Sequence, residues 1–197
     1  TKIADPDTGV HRSLSMEELQ SLLQQLMVAG NETTTSAITG GMLSLLQNPG
    51  QLKELQDKPG SIANAVEEIL RMESPSAGMW RVVKKDCEIQ GVHVPKDSLL
   101  MLRYHAANRD RALFQHPNDL DIGRKNAGDH IAFGQGIHFC PGAMLARKEM
   151  VVAFSALLSR LDNIQIDASQ SDLAYWPNIV LRGLKGLHIT FEKRVQA

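Results

Sequence analysis

A long helical pattern near the start of the chain constrains the fold more than any other feature of the sequence. Ser15 and Glu18 form a capping box, which predicts that a helix begins at about Met16. Apolar and small residues then recur with helical spacing, and the predicted helix covers residues 16–47. At a rise of 1.5 Å per residue it is about 45 Å long, a length that usually crosses the middle of a large domain.

The remaining sequence predicts short elements around one long irregular segment. Residues 108–139 are rich in turn-forming residues, and an irregular segment of that length is usually functional. Spacing and turn signals predict further helices at about 50–56, 61–72 and 141–158, strands at 80–84, 88–90 and 98–102, a turn at Gly91, and a C-terminal β-hairpin over 172–192 that turns at Gly183–Gly186. We therefore expect a mainly α fold with small β-sheets, and residues 1–197 as one partial domain.

Charge and cysteine content exclude several classes of protein. The formal net charge of -1 provides no basic field of the kind that nucleic-acid binding requires. Cys87 and Cys140 lie far apart, which argues against a disulfide framework and against a structural zinc site. The sequence has no apolar signal segment and no long apolar run, so we expect a cytoplasmic protein without a membrane span.

A lone cysteine in the sequence FGQGIHFCPG, residues 133–142, is the strongest candidate for chemistry. Cys140 stands at a predicted helix start, where free N–H groups favour a thiolate and could tune a bound iron. Gly134 and Gly136 would let the backbone approach a flat group. Taken alone, the pattern also allows a buried inert cysteine, or a nucleophile whose base is not evident from any spacing.

Two other patterns carry weaker signals. Glu68 and Arg71 are three residues apart and face one side of their helix, opposite its apolar stripe, so alone they predict a solvated ion pair worth well under about 1 kcal/mol. In AGNETTT, residues 29–35, Gly30 and Thr33 fall on the same predicted buried face as the preceding leucines. That arrangement indicates a notch for water or a small ligand, or else a threonine bonded to the carbonyl one turn earlier.

These segments together resemble the cytochrome P-450 family. Phe133-x-x-Gly136-x-x-x-Cys140-x-Gly142 matches the family's haem-binding signature position by position, and residues 143–147 resemble its proximal helix. The order and spacing of the motifs resemble the soluble bacterial type from about residue 14 to the C-terminus. The resemblance implies the C-terminal, haem-binding half of the P-450 fold, with the N-terminal half of the family fold absent.

The resemblance gives each predicted element a name. They are a long relay helix (16–47), an ExxR helix (61–72), a meander and haem-binding loop (108–142), a proximal helix (141–158) and the C-terminal hairpin (172–192). It also implies heme b, iron protoporphyrin IX, as cofactor, with Cys140 as the iron ligand. The further cofactor-binding residues implied are Ala29, Arg81, Phe133, Gly134, Gly136, His138, Gly142 and Ala143. Arg81 and His138 would donate to the haem propionates, although each alone is more typical of a surface or capping residue.

Further roles follow from the same resemblance. Glu32 would be the acid of a proton relay and Thr33 the alcohol that positions it beside dioxygen. Glu68, Arg71 and Arg124 would form a buried structural cluster. The substrate pocket would be lined by apolar residues that could equally belong to the core, namely Met27, Val28, Ala77, Gly78, Met79, Ile179 and Val180.

The implied activity is a monooxygenase that inserts one atom of dioxygen into a hydrophobic small molecule. Electrons would come from NAD(P)H through a ferredoxin or flavin reductase that docks near Arg147 and Lys148, and the N-terminal half of the same protein would be a further partner. One alternative is a peroxide-driven peroxygenase, against which the Glu32–Thr33 pair argues. Another is a haem-binding fragment that is inactive without the N-terminal half.

Overall fold

The computed structural model describes residues 2–5 and 7–194, which fall into two units, Thr1–Glu32 and Thr33–Ala197. The first unit contains a small hairpin that the sequence did not predict, in which β1 (Ile3–Ala4) pairs with β2 (His11–Arg12). Arg12 pairs with Asp5 at 2.7 Å and with Glu18 at 2.6 Å. These ion pairs fasten the hairpin to the first turn of the helix that follows.

That helix, α1, covers Met16–Leu46, one residue less than predicted. The capping box is confirmed: Glu18 N donates to Ser15 Oγ at 3.2 Å, and Ser15 N donates to Glu18 Oε2 at 2.8 Å. Two of the N–H groups that every helix start leaves without an intrahelical partner are thereby satisfied.

The predicted buried face of α1 is wrong over the first half of the helix. The apolar stripe Leu19, Leu22, Leu23 and Leu26 is 38–57% exposed, and Gly30 is exposed as well. Full burial begins only at Thr34 and continues through the second half of the helix, because the core described below packs against that half. A stripe of leucines at helical spacing normally packs on a partner. Because this stripe is exposed, it is an unpartnered surface of the described residues.

In its described residues the second unit adds the α-helices α2 (Pro49–Asp57), α3 (Ile62–Glu73), α4 (Tyr104–Ala107) and α5 (Ala143–Arg160). α5 begins at Ala143, directly after Pro141-Gly142 and two residues later than the predicted bound of 141. Pro141 and Gly142 instead form a turn that Ala143 N closes by donating to Cys140 O at 3.2 Å. The cysteine therefore lies on the turn that leads into α5, not in its first turn.

The strands form two-stranded antiparallel sheets. β3 (Met79–Val82) pairs with β6 (Leu99–Leu102), β4 (Cys87–Ile89) with β5 (Val92–Val94), β8 (Asp172–Tyr175) with β9 (Leu184–Gly186), and β7 (Leu161–Ile166) with β10 (Ile189–Lys193). The predicted turn at Gly91 is confirmed, with positive φ at Gln90 and Gly91. The sequence did not predict β5, a strand of only three residues.

The predicted C-terminal hairpin over 172–192 is wrong in its pairing. Residues Leu184–Gly186, expected to turn, are the strand β9, which pairs with β8, and β10 pairs with β7 instead of with β8. Leu187 and Ile189 pack against the core next to the buried Ile164 of β7. Burial of these apolar side chains therefore explains why β10 pairs with β7.

One hydrophobic core joins the helices of the second unit, and α3 lies at its centre. The core takes Ala37, Met42 and Leu45 from α1, Leu52 and Leu55 from α2, Met150, Phe154 and Leu158 from α5, and the apolar stripe of α3. The opposite face of α3 is buried too, because it contacts the long segment between α4 and α5. None of the described helices is long and apolar enough to cross a membrane.

Replacement of Gly41 by Ala tests the close packing of α1 on this core. A Cβ there would lie 2.5 Å from Ile69 Cγ2 and 3.1 Å from Phe154 Cζ. We expect Gly41→Ala to lower the free energy of unfolding by about 1–3 kcal/mol in urea titrations followed by circular dichroism. Gly30→Ala is the matched control in the same helix, because nothing lies within 4 Å of its added Cβ. It should leave stability unchanged or raise it by up to about 1 kcal/mol, and equal losses in the two variants would contradict the packing described.

Candidate functional site

Glu68, Arg71 and Arg124 form a buried cluster on the outer face of α3. Arg71 makes a bidentate pair with Glu68 at 2.7 and 2.8 Å, and Arg124 Nε lies 3.0–3.1 Å from both carboxylate oxygens. Glu68 and Arg71 are both 0% exposed. The solvated ion pair that the two residues alone would predict is therefore excluded.

The two arginines also bind the backbone of the long irregular segment. Arg71 Nη1 donates to the carbonyls of Asn108 and Pro117, both at 2.8 Å. Arg124 Nη1 donates to the carbonyl of Gln115 at 2.7 Å, and its Nη2 donates to those of His116 and Asp119. Carbonyls that a helix or a sheet would otherwise satisfy thus find charged donors, which explains how a segment with little regular structure is held against α3.

The cysteine loop follows this segment. Gly134 and Gly136 have φ of +71° and +73°, a backbone conformation that side chains rarely adopt. Cys140 N donates to Phe133 O at 3.0 Å, and Phe139 N donates to Gly136 O at 3.0 Å. These hydrogen bonds fold the loop back on itself and join Cys140 to Phe133, the first residue of the loop.

The Cys140 thiol is free and half-buried, and it lies outside the hydrophobic core. This placement argues against a buried inert cysteine. Within residues 2–5 and 7–194 no N–H group donates to Cys140 Sγ, contrary to the expectation that such groups point at the sulfur. The amides of Phe139, Cys140 and Ala143 are already engaged in backbone turns.

The remaining candidate cofactor residues have different environments. Ala143 is buried and His138 is exposed. Arg81 is half-buried on β3, where its Nη1 donates to Trp80 O at 2.8 Å. No carboxylate of the described residues pairs with Arg81. It is a partly buried positive charge without a counter-ion in that part of the chain.

The relay candidates lie on α1, where Glu32, Ala29, Met27 and Val28 are exposed and Thr33 is half-buried. The other substrate-pocket candidates lie in two segments that the structure brings together. Ala77 N donates to Val180 O at 2.7 Å. Ala77 and Gly78 are buried, whereas Met79 and Ile179 expose large apolar side chains.

Comparison with known proteins gives the family. The family model for cytochrome P450 matches residues 62–187. The chain is 42% identical over 177 residues to cytochrome P450 107B1 of Saccharopolyspora erythraea, an alignment that covers 89% of this chain and 44% of that protein. The chain belongs to the cytochrome P450 family.

Solved P450 structures share its fold. Cytochrome P450 PksS of the bacillaene polyketide synthase of Bacillus subtilis 168 aligns with a TM-score of 0.86 at 40% identity, over 92% of this chain and 47% of that one. CYP109E1 of Bacillus megaterium, solved in complex with corticosterone, aligns with a TM-score of 0.86 at 31% identity, over 90% and 48%. The predicted fold class is confirmed. The chain spans about 44% of the length of the curated relatives it matches.

The residues of the cysteine loop fit the haem that the P450 family implies. Ile137 of the loop is 98% exposed and Met144 in the first turn of α5 is 82% exposed, so both leave apolar side chains free to contact an apolar group. A Cβ at Gly136 would meet nothing within 4 Å, which leaves its backbone open to a flat group. A free thiol can ligate haem iron, exposed apolar side chains can contact a porphyrin, and a guanidinium without an ion-pair partner in the described residues can bind a propionate.

A second ion-pair network beside the P450 signature was not predicted from the sequence. Arg147 of α5 makes a bidentate pair with Glu67 of α3 at 2.7 and 2.9 Å, and its guanidinium lies 4.6 Å from the centroid of the Phe133 ring. His130 Nε2 lies 3.2 Å from Glu67 Oε2, although it is not aligned for a regular hydrogen bond. Arg147 was expected to meet a redox partner, but its charge is engaged by Glu67. Of the two cations expected there, only Lys148 is exposed.

Replacement of Glu68 tests the buried cluster. Glu68→Gln would leave two buried arginines without their counter-charge, so we expect the free energy of unfolding to fall by about 3–5 kcal/mol. The matched control is Glu54→Gln, which breaks an exposed pair with Lys58 at 3.1 Å and should cost less than about 0.5 kcal/mol. Urea unfolding of both variants checks the difference. Similar small losses would mean that the cluster does not hold the loop.

Glu67 gives the second network a defined pH dependence. Partial burial raises the pKa of Glu67, but the contacts with His130 and Arg147 outweigh burial and lower that pKa from 4.5 to about 2. A lowered folded-state pKa means that the contribution to stability is complete above about pH 4.5 and is lost as the pH falls toward about 2.

We expect Glu67→Gln to cost about 1–2 kcal/mol near pH 7, a discounted value because the carboxylate is 20% exposed and partly screened. Unfolding free energies of the two proteins, measured from about pH 7 down to about pH 3, should converge as the pH falls. A difference that stays constant over this range would show that the Glu67 charge contributes nothing.

Proposed function

We propose that the chain is the haem-binding part of a haem-thiolate monooxygenase, with heme b held by Cys140. The observation that carries the proposal is the free, half-buried thiol of Cys140 on a glycine-rich loop with an exposed apolar flank. When bound, the haem supplies the activation of dioxygen that inserts one oxygen atom into a C–H or C=C bond.

The residues of the loop would bind and orient the cofactor. Cys140 would be the thiolate that holds the iron, and Gly134 and Gly136 would allow the backbone to approach the flat cofactor. Arg81 and His138 would donate to the propionates, for which Arg81 is suited because it has no ion-pair partner among the described residues. Phe133, Gly142 and Ala143 would complete the loop around the sulfur.

Glu32 and Thr33 would deliver protons to the reaction. A carboxylic acid exposed to water can take up a proton, and a neighbouring hydroxyl can pass it on at short range. The proposal is supported by the sequence, in which the acid and the alcohol are consecutive residues of α1 in the AGNETTT segment. Ala29 would leave room on the same helix for the haem edge.

A hydrophobic small molecule is the substrate class that the exposed apolar side chains of Met79 and Ile179 favour, with Met27, Val28, Ala77, Gly78 and Val180 as the other candidates. The structure of the relative CYP109E1 in complex with corticosterone agrees with this class. The electrons would come from NAD(P)H through a ferredoxin or flavin reductase, in the cytoplasm. Lys148 is the exposed cation that such a partner could meet.

A haem-binding chain without turnover of its own is the second candidate. Its support is that the leucine stripe of α1 is unpartnered in the described residues. The N-terminal half of the family fold is the expected cover for this stripe. Addition of that half should then be required for substrate oxidation but not for the thiolate spectrum.

The absorption spectrum of the reduced, CO-treated protein tests the proposed ligand. Thiolate ligation shifts the Soret band strongly to the red, so we expect that band in the unsubstituted protein and in Cys87→Ser, and its loss in Cys140→Ser. Cys87 is the matched control because it is the other free cysteine and lies on β4. A red-shifted band that survives Cys140→Ser would overturn the proposal.

A further inference from the structure

Glu73, the last residue of α3, is buried and collects polar groups from distant parts of the chain. Ser44 Oγ of α1 donates to Glu73 Oε1 at 3.0 Å, and Tyr175 OH donates to Glu73 Oε2 at 3.4 Å. The Arg182 guanidinium pairs with the same Oε2 and also donates to the Glu73 carbonyl at 3.1 Å. A carboxylate with only 7% of its side chain exposed is costly unless it is paired. These contacts therefore hold α1, α3 and the C-terminal segment together.

Arg182 is fixed on its second face as well. Its guanidinium carbon lies 3.9 Å from the centroid of the Tyr175 ring, a cation–π contact. Burial and the neighbouring Glu73 charge raise the pKa of Tyr175, so the phenol keeps its proton and remains a donor to the carboxylate at neutral pH. The three side chains restrict one another's positions.

The two candidate pocket segments begin at this ion pair. Ser74, the residue directly after α3, has a φ of 42°, and the chain turns there through Pro75 into residues 76–79. Arg182 N donates to Pro75 O at 2.8 Å, and Ala77 N donates to Val180 O at 2.7 Å. Residues 75–77 and 180–182 thus form a short antiparallel ladder whose first rung adjoins the Glu73–Arg182 pair.

The far end of the ladder carries the exposed apolar side chains. Asn178 Oδ1 accepts hydrogen bonds from the amides of Val180 and Leu181 at 2.8 and 2.9 Å, which closes a tight turn with Ile179 at its tip. Met79 follows on the other strand of the ladder. Beyond the ion pair, a Cβ on Gly183 would lie 2.7 Å from Ser36 Oγ, so the ladder is seated against α1.

We infer that Glu73 and Arg182 are a positioning pair that sets the relative placement of Met79 and Ile179 and so selects which hydrophobic molecules the pocket accepts. The inference rests on the proposed function, because a pocket wall has this meaning only beside a bound haem. Glu73 and Arg182 expose only 7% and 23% of their side chains, so we assign neither a direct contact with the cofactor or the substrate. Both act through the ladder.

Hydrogen–deuterium exchange on the chain without haem tests the coupling. In Glu73→Gln the carboxylate charge is lost at nearly constant volume, so we expect the amides of residues 75–80 and 178–183 to exchange about tenfold faster through local opening. Exchange in α5 should not change. Asp172→Asn is the matched control, because it removes an exposed ion pair with Lys185 at 3.4 Å on the neighbouring strand β8. It should leave both segments unaffected.

Two azoles of different size test the pocket on the haem-loaded protein. Imidazole needs only access to the iron, whereas 4-phenylimidazole also needs room at the wall. We expect Glu73→Gln to change the ratio of the two dissociation constants about fivefold or more, which corresponds to about 1 kcal/mol. The imidazole constant and the spectrum of the reduced, CO-treated protein should stay as they were, and Asp172→Asn should keep the original ratio.

Three results would overturn the inference: unchanged exchange in both segments, faster exchange throughout the core including α5, or an unchanged azole ratio while imidazole still binds. Absence of haem or imidazole binding in the unsubstituted protein is a different outcome. It would sink the proposed function and the pocket with it, while the exchange experiment would still decide whether Glu73 couples the two segments.

Discussion

Arg71 and Arg124 both pair with the buried carboxylate of Glu68 on α3, and their remaining N–H groups donate to backbone carbonyls of the irregular segment that follows α4. Burial of the Glu68 charge is tolerated because Arg71 and Arg124 surround it, and burial of the arginines is tolerated because carbonyls such as those of Asn108 and Gln115 accept their remaining protons. These hydrogen bonds from arginine side chains replace the backbone pairing that a helix or sheet would provide. The position of the cysteine loop depends on these hydrogen bonds, because that loop directly follows the segment that the two arginines hold.

The same helix anchors two other functional segments in the same way. Glu67 binds Arg147, which lies over the Phe133 ring at the start of the cysteine loop. Glu73 binds Arg182, from which the two candidate pocket segments extend. α3 thus uses three acidic side chains to set the cysteine loop, the long irregular segment and the pocket segments relative to one rigid element.

Local patterns of the sequence predicted the parts of this arrangement that are local in the chain. The capping box of α1 and the Glu68–Arg71 pair each join residues three positions apart, a spacing at which residues of one helical turn can contact each other. The Glu67–Arg147 and Glu73–Arg182 pairs join residues 80 and 109 positions apart, for which no spacing rule exists. The same limit explains the misassigned C-terminal hairpin, because the choice of β7 over β8 as the partner of β10 was made by core burial around Ile164. The family signature could be recognised around Cys140, but the engagement of its amides in turns could not.

Buried ion pairs of this kind add little net stability compared with apolar residues of equal volume, since desolvation offsets most of their attraction. Their number on one helix therefore calls for a reason other than stability. An apolar contact tolerates small shifts, whereas a bidentate guanidinium–carboxylate pair fixes both distance and plane. A cysteine that binds a haem iron, as proposed for Cys140, and a wall that selects a substrate, as proposed for the pocket segments, both require positions fixed to a fraction of an ångström. Irregular loops cannot supply that constraint from their own hydrogen bonds, so the chain obtains it from charged side chains on α3.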